Sequence, residues 1–180
     1  MENIREKIDK RDEELEARFL LGMKGKRNIV VVGVNPSTAT IDNLDPTSRR
    51  IDNYCIKHNF DGWILINLYP QIDKDVEKLH TKKNDELVRL NLKYIECILK
   101  EKEITLVAAW GVSIELRKYL KECLYDIDTI AKKYNHQWHC FELTKFGYPC
   151  HPLIRKKGFS LYKTRLIEMD IEQLNKIYMI

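Results

Sequence analysis

Four residues able to do chemistry stand directly after strand-like hydrophobic runs: Asn35, Asn67, Trp110 and His151. A side-chain amide carries a donor and an acceptor in one group, which suits the edge of a nucleobase. Asn67 follows Ile64-Leu65-Ile66, and an amide so placed needs either protein partners or a ligand. Asn35 lies in Gly33-Val34-Asn35-Pro36-Ser37-Thr38 and has two readings. It stabilises its own Asn-Pro turn, or it holds a water or a ligand carbonyl. An amide takes up no proton near neutral pH, so it is not a strong general base. His151 precedes Pro152, which pushes its backbone away from helix. Gly147, Pro149 and Pro152 punctuate a loop stiff enough to aim the ring. Trp110, in Ala109-Trp110-Gly111, is either a binding residue or plain core.

Such residues need elements that bring them to one place. Ile29 to Val34 is the most hydrophobic strand-like run, and a continuous β-branched run reads as a strand buried on both faces. Ile64 to Ile66, Ile104 to Ala109 and roughly Gln137 to Leu143 read as three more strands. Asp45-Pro46 is a helix start, Asp as N-cap and Pro at the first position, for a helix to about Asn59 burying Ile51, Tyr54 or Cys55. Asp61-Gly62 turns the chain into the second strand. A long helix runs from about Asn84 to Lys100 on Leu87, Leu90, Tyr94, Ile95 and Ile98. Ser113 caps a helix with Leu116, Tyr119, Leu120 and Cys123 inward, and the tail from Asp170 spaces Ile171, Leu174 and Tyr178 as a helix. Residues 1 to 20 read as a charged helix with Ile4, Ile8, Leu15 and Phe19 on one side, and Gly22 and Gly25 break the chain after it. Strand and helix alternate, which argues for a parallel sheet covered on both faces. Ligands of open α/β sheets bind beyond the carboxyl ends of the strands, where the four residues stand.

At 180 residues, 44% hydrophobic and 32% charged, the chain suits one globular domain. No run is long enough to span a membrane, and the charged start has no apolar signal core, so a cytoplasmic protein is expected. The five cysteines show no Cys-x-x-Cys pair and read as buried thiols, with no metal and no cofactor expected. His136 and His139 fall on opposite faces of a strand and read as structural. Glycine-rich dinucleotide, P-loop and nucleophile-elbow motifs are absent. The net charge of +4 is mild, but basic pairs at Arg49-Arg50 and Arg155-Lys156 lie near the strand-end motifs. Each is commonly a solvated surface; phosphate binding is the alternative.

Five ordered stretches resemble domain-of-unknown-function family 1643: Gly33 to Ala39, Asp45-Pro46-Thr47-Ser48-Arg49-Arg50, Asn67-Leu68-Tyr69, Ala109-Trp110-Gly111, and Leu143 to Leu153. More distantly, Gly33-Val34-Asn35-Pro36, Asn67, Trp110-Gly111 and His151-Pro152 resemble the motifs of the uracil-DNA glycosylase superfamily. That resemblance implies an α/β fold: a single three-layer αβα domain, residues 23–180, with a short, mostly parallel central sheet; the charged pattern before it reads as a helical arm over residues 1–22. It implies that Asn35 positions an attacking water and that His151 stabilises charge on a departing base. Asn67 would read the base, with Tyr69, Ser37 and Trp110 beside it, and Arg49, Arg50, Arg155 and Lys156 would hold phosphate. Breaking an N-glycosidic bond builds negative charge on the base, so an aimed donor lowers the barrier. After His151-Pro152 comes Leu153-Ile154-Arg155, not the superfamily's Ser-Pro-Leu-Ser wedge. Single-stranded or modified DNA and free nucleotides are therefore as well matched as a duplex. The expected function is nucleobase or nucleotide recognition, either by a metal-independent N-glycosidic hydrolase or by a non-catalytic nucleotide or nucleic-acid binding module.

Overall fold

The computed structural model describes residues 5–154, 157 and 159–178. Its centre is the β-branched strand β3 (Asn28–Gly33), and β1 (Glu6–Asp12) and β2 (Ala17–Lys24) precede it. The later strands are β4 (Gly62–Asn67), β5 (Ile104–Ala108), β6 (Trp138–Cys140) and β7 (Ile167–Glu168). The sheet order is β1-β2-β4-β3-β5-β6-β7. The pairs β3–β4, β3–β5 and β5–β6 are parallel, while β1–β2, β2–β4 and β6–β7 are antiparallel. The fold is α/β with a seven-stranded mixed sheet, so the expectation of a mostly parallel sheet is corrected.

The excess antiparallel pairing comes from the amino terminus. Residues 6 to 24 form a hairpin, not the expected helical arm. The chain reverses over Glu13 to Glu16, where Glu16 takes a left-handed φ of 48° and Asp12 Oδ1 accepts from the Leu15 N–H at 3.0 Å. β1 is an edge strand with mostly charged side chains, a composition that blunts edge pairing. β2 is buried along Ala17 to Gly22 because it has strands on both sides. Gly22 is not a breaker but an interior strand residue. A Cβ there would meet the Trp63 carbonyl oxygen at 2.3 Å, so only glycine lets β2 lie this close to β4.

The alternation of β3 divides the core. Ile29 and Val31 face α1 (Pro46–Lys57), meeting Ile51, Tyr54 and Cys55. Val30 and Val32 face the other side, which is covered by α2 (Asp85–Leu99), α3 (Lys118–Lys133) and α4 (Ile171–Tyr178). Asp45 and Asn84 cap α1 and α2 through their side chains. Ser113 does not cap α3. Gly111 (φ 61°) starts a 3-10 turn over Gly111–Leu116, extended Arg117 ends it, and Leu116 is left exposed. β6 is shorter than expected because the chain turns away at Phe141 and Leu143 pairs back with Pro149. Among the described residues no helix is long and apolar enough to cross a membrane.

Candidate functional site

The loops leaving the carboxyl ends of β3, β4, β5 and β6 enclose a cavity of about 870 Å³. From β3 the chain proceeds through α1 to β4 on one side, and from β4 it crosses back through α2 to β5 on the other. The crevice between β3 and β5 is thus the point at which the winding reverses, where open α/β sheets bind ligands. Gly33, Asn35, Ser37, Asn67, Trp110 and His151 all line the cavity.

Asn67 ends β4 beside Gly33, its parallel partner. A Cβ on Gly33 would come within 2.8 Å of Asn67 Oδ1, so the glycine makes room for the amide. The Asn67 backbone carbonyl accepts from Asn91 Nδ2 at 2.8 Å. Its side-chain amide has no hydrogen-bond partner among the described residues.

Asn35 differs. Its Nδ2 donates to the carbonyl of Asp73 at 2.9 Å, with Pro36 O at 3.3 Å and Gln71 O at 3.4 Å. The amide therefore ties the β3–α1 loop to the segment after β4, and Oδ1 is left to accept from a water or ligand. Ser37 Oγ donates to Asp45 Oδ2 at 2.8 Å, and Asp45 Oδ1 accepts from the Ser48 N–H at 2.8 Å. Burial opposes the charge on Asp45, but those bonds and Arg18 outweigh it and hold the carboxyl below its ordinary range.

His151 is exposed where it opens onto the cavity, yet protein crowds the rest of the ring. That crowding lowers its pKa below 6.5; Asp45 opposes the shift and Arg50 adds to it. Nδ1 accepts from the Leu153 N–H at 3.2 Å. The neutral ring therefore carries its proton on Nε2, leaving a donor. Trp110 is buried edge-on against Trp138, and its Nε1 has no acceptor among the described residues.

Not every expected residue reaches the cavity. Tyr69 is fully buried, with its hydroxyl 2.8 Å from His80 Nδ1 and accepting from the Asn84 N–H at 3.2 Å; its role is to fix the start of α2. Arg49 lines the cavity, but Arg50, on the next face of α1, donates to the Pro152 carbonyl at 3.0 Å and so holds the His151 loop. Arg155 and Lys156 lie outside the described residues. Four cysteines are buried but Cys97 is exposed, a correction; burial pushes Cys55, Cys123 and Cys140 up to about 12.

Three charged lining residues escaped the sequence reading: Arg18, Asp73 and Lys74. Arg18, on β2, is 3% exposed and donates through Nη2 to Ser37 O at 2.6 Å and through Nη1 to Ala39 O. Burial lowers its pKa, only partly offset by Asp9 and Asp45. The signal was present: a lone arginine inside Ala17-Arg18-Phe19-Leu20-Leu21. Asp73 Oδ1 accepts from the Asp75 N–H at 2.9 Å, and its second oxygen has no partner among the described residues.

No curated protein and no solved structure matches the chain. A family model described as "Protein of unknown function (DUF1643)" matches residues 18–153, and with them nearly every wall of the cavity, so the chain belongs to the DUF1643 family.

Proposed function

We propose that the cavity receives a nucleobase or nucleotide. The observation that carries this reading is Asn67. A half-buried amide at a strand end, given clearance by a glycine and with neither donor nor acceptor engaged among the described residues, is a polar group suited to a ligand. Its paired donor and acceptor match a base edge, and Trp110 lines the same cavity.

The resemblance to the uracil-DNA glycosylase superfamily extends this to N-glycosidic hydrolysis. His151, neutral with its proton on Nε2, is suited to donate to a base oxygen that becomes negative as the bond breaks. Asn35 Oδ1 can accept from the attacking water but cannot take its proton. Of the carboxylates lining the cavity, Asp45 has both oxygens committed, which leaves Asp73 as the group able to do so.

The non-catalytic binding module is the second reading, and Asn35 favours it. Its donor group is spent on tying two loops together, which is a structural duty. The test is titration with the common nucleobases, nucleosides and nucleotides, paired with single-turnover base release from oligonucleotides carrying modified bases. Binding that falls in Asn67→Ala, with base release that falls in His151→Ala, is the enzyme outcome. Binding without release is the module outcome. No binding by any base or nucleotide would refute both.

A further inference from the structure

Arg18 is an unusual residue for a strand interior. Charged side chains are rarely this buried unless paired. The residue as a whole is 3% exposed, and its guanidinium forms no ion pair among the described residues. Of its five N–H donors, two reach the carbonyls of Ser37 and Ala39, so three have no protein acceptor among the described residues. Two carboxylates act on it through space without bonding it: Asp9, which is bonded to Arg11, and Asp45, which has both oxygens engaged at the start of α1. Arg18 lines the same cavity as Asn67, and so do Arg49 and Lys74, both exposed and without an ion pair among the described residues.

We infer that Arg18 anchors the terminal phosphate of the cavity's ligand, a nucleoside monophosphate, with Arg49 and Lys74 as the cationic approach to it. This rests on the nucleotide reading above and deepens it. A buried guanidinium lacking a carboxylate is completed by an anion brought in by the ligand, and its planar fork matches phosphate oxygens. The depth of Arg18 selects the kind of phosphate. A terminal group can be inserted down to a residue that is 3% exposed, whereas an internal phosphodiester carries a sugar on each side. Two exposed cations at the cavity raise the local concentration of such an anion.

Arg18 also clamps residues 37–39, so the experiment must separate clamping from binding. The probes are the four common nucleosides, their 5′-monophosphates, inorganic phosphate, and a short oligonucleotide lacking a terminal phosphate. Each is titrated calorimetrically into wild type and into Arg18→Gln, which keeps a donor for the loop carbonyls but loses the charge. The expected result is a monophosphate bound roughly ten- to a hundredfold tighter than its nucleoside by wild type, with that preference lost in Arg18→Gln while nucleoside affinity is kept. Equal losses for nucleoside and monophosphate would make Arg18 a clamp only and overturn the inference. So would a wild type that prefers no phosphate, or an unphosphorylated oligonucleotide bound as tightly and as dependently on Arg18. If inorganic phosphate binds through Arg18 while no nucleoside contributes affinity, the base reading fails and the anion subsite stands. Should Arg18→Gln not fold, the wild-type protein answers directly. The Arg18 Nε–H resonance of isotope-labelled protein is expected to shift and saturate with phosphate or monophosphate, and a resonance that stays still overturns the proposal.

Discussion

Gly33→Ala isolates the ligand-reading role proposed for Asn67 from its place in the fold. Gly33 ends β3 with a backbone that any L-residue can adopt, so alanine introduces no strain there. The new Cβ would stand 2.8 Å from Asn67 Oδ1, and the next nearest atom, Asn67 Cγ, is 3.9 Å away. Ordinary contact begins at 3.4 Å, so the amide must retreat by about 0.6 Å while the backbone stays in place. The clash falls on the end of a side chain that holds no hydrogen-bond partner among the described residues, so its cost to folding is small. Alanine also restricts the unfolded chain, worth about 0.4–1 kcal/mol of stability. The expected melting temperature is unchanged or slightly raised. Ligand affinity behaves differently. A hydrogen bond near 2.9 Å lengthened by about 0.6 Å reaches the limit of useful geometry. Two such bonds, at about 0.5–1.5 kcal/mol each, put the loss at about 1–3 kcal/mol, roughly five- to a hundredfold in affinity. Calorimetric titration with the best-bound base or nucleotide, alongside thermal unfolding, reads both quantities. Unchanged affinity in the folded variant would refute Asn67 as the reader. A loss of stability above about 2 kcal/mol would show that the clash reaches the sheet itself.

The remaining predictions concern neighbouring groups. His151 has a lowered pKa, so between its folded value and 6.5 the unfolded chain binds more protons and stability rises with pH. Its contribution is therefore full above 6.5 and is lost as pH falls through the folded value, and His151→Asn, which retains an acceptor for the Leu153 N–H, should flatten the pH dependence of the denaturation midpoint. Tyr69→Phe should cost about 1–2 kcal/mol in chemical denaturation, through the bonds to His80 and Asn84, and leave ligand affinity unchanged. Asn35→Asp should destabilise, because it turns a carboxylate toward the carbonyls of Pro36, Gln71 and Asp73; hydrogen exchange should show the segment after β4 losing protection.

The legible part of this fold was the part buried on both faces. β3, β4 and β5 read as continuous aliphatic runs because helices cover each side of them, Asp45 announced α1 by cap chemistry, and apolar residues at helical spacing announced α2. The hairpin was illegible for a stated reason. Ile8, Leu15 and Phe19 fit a helical spacing, and the reversal between β1 and β2 uses Glu16 in a left-handed conformation, with no Gly, Pro or Asn to mark it. A misread hairpin hides more than two strands. It hid Arg18, which lies inside β2 and reaches the cavity only because β2 pairs with β4.

The site was legible by residue type and illegible by direction. Asn67 and Tyr69 share parity along the chain, yet the strand ends between them: the Leu68 and Tyr69 N–H groups bond Gly33 O and Val34 O, and the chain carries Tyr69 into the core beside His80. Arg49 and Arg50 are adjacent, but a helix turns successive side chains about 100° apart, so one lines the cavity and the other braces the loop of His151. Each pair holds one cavity-lining residue and one scaffold residue. Sequence spacing alone does not separate them, because the separation is made by hydrogen bonds to residues far along the chain.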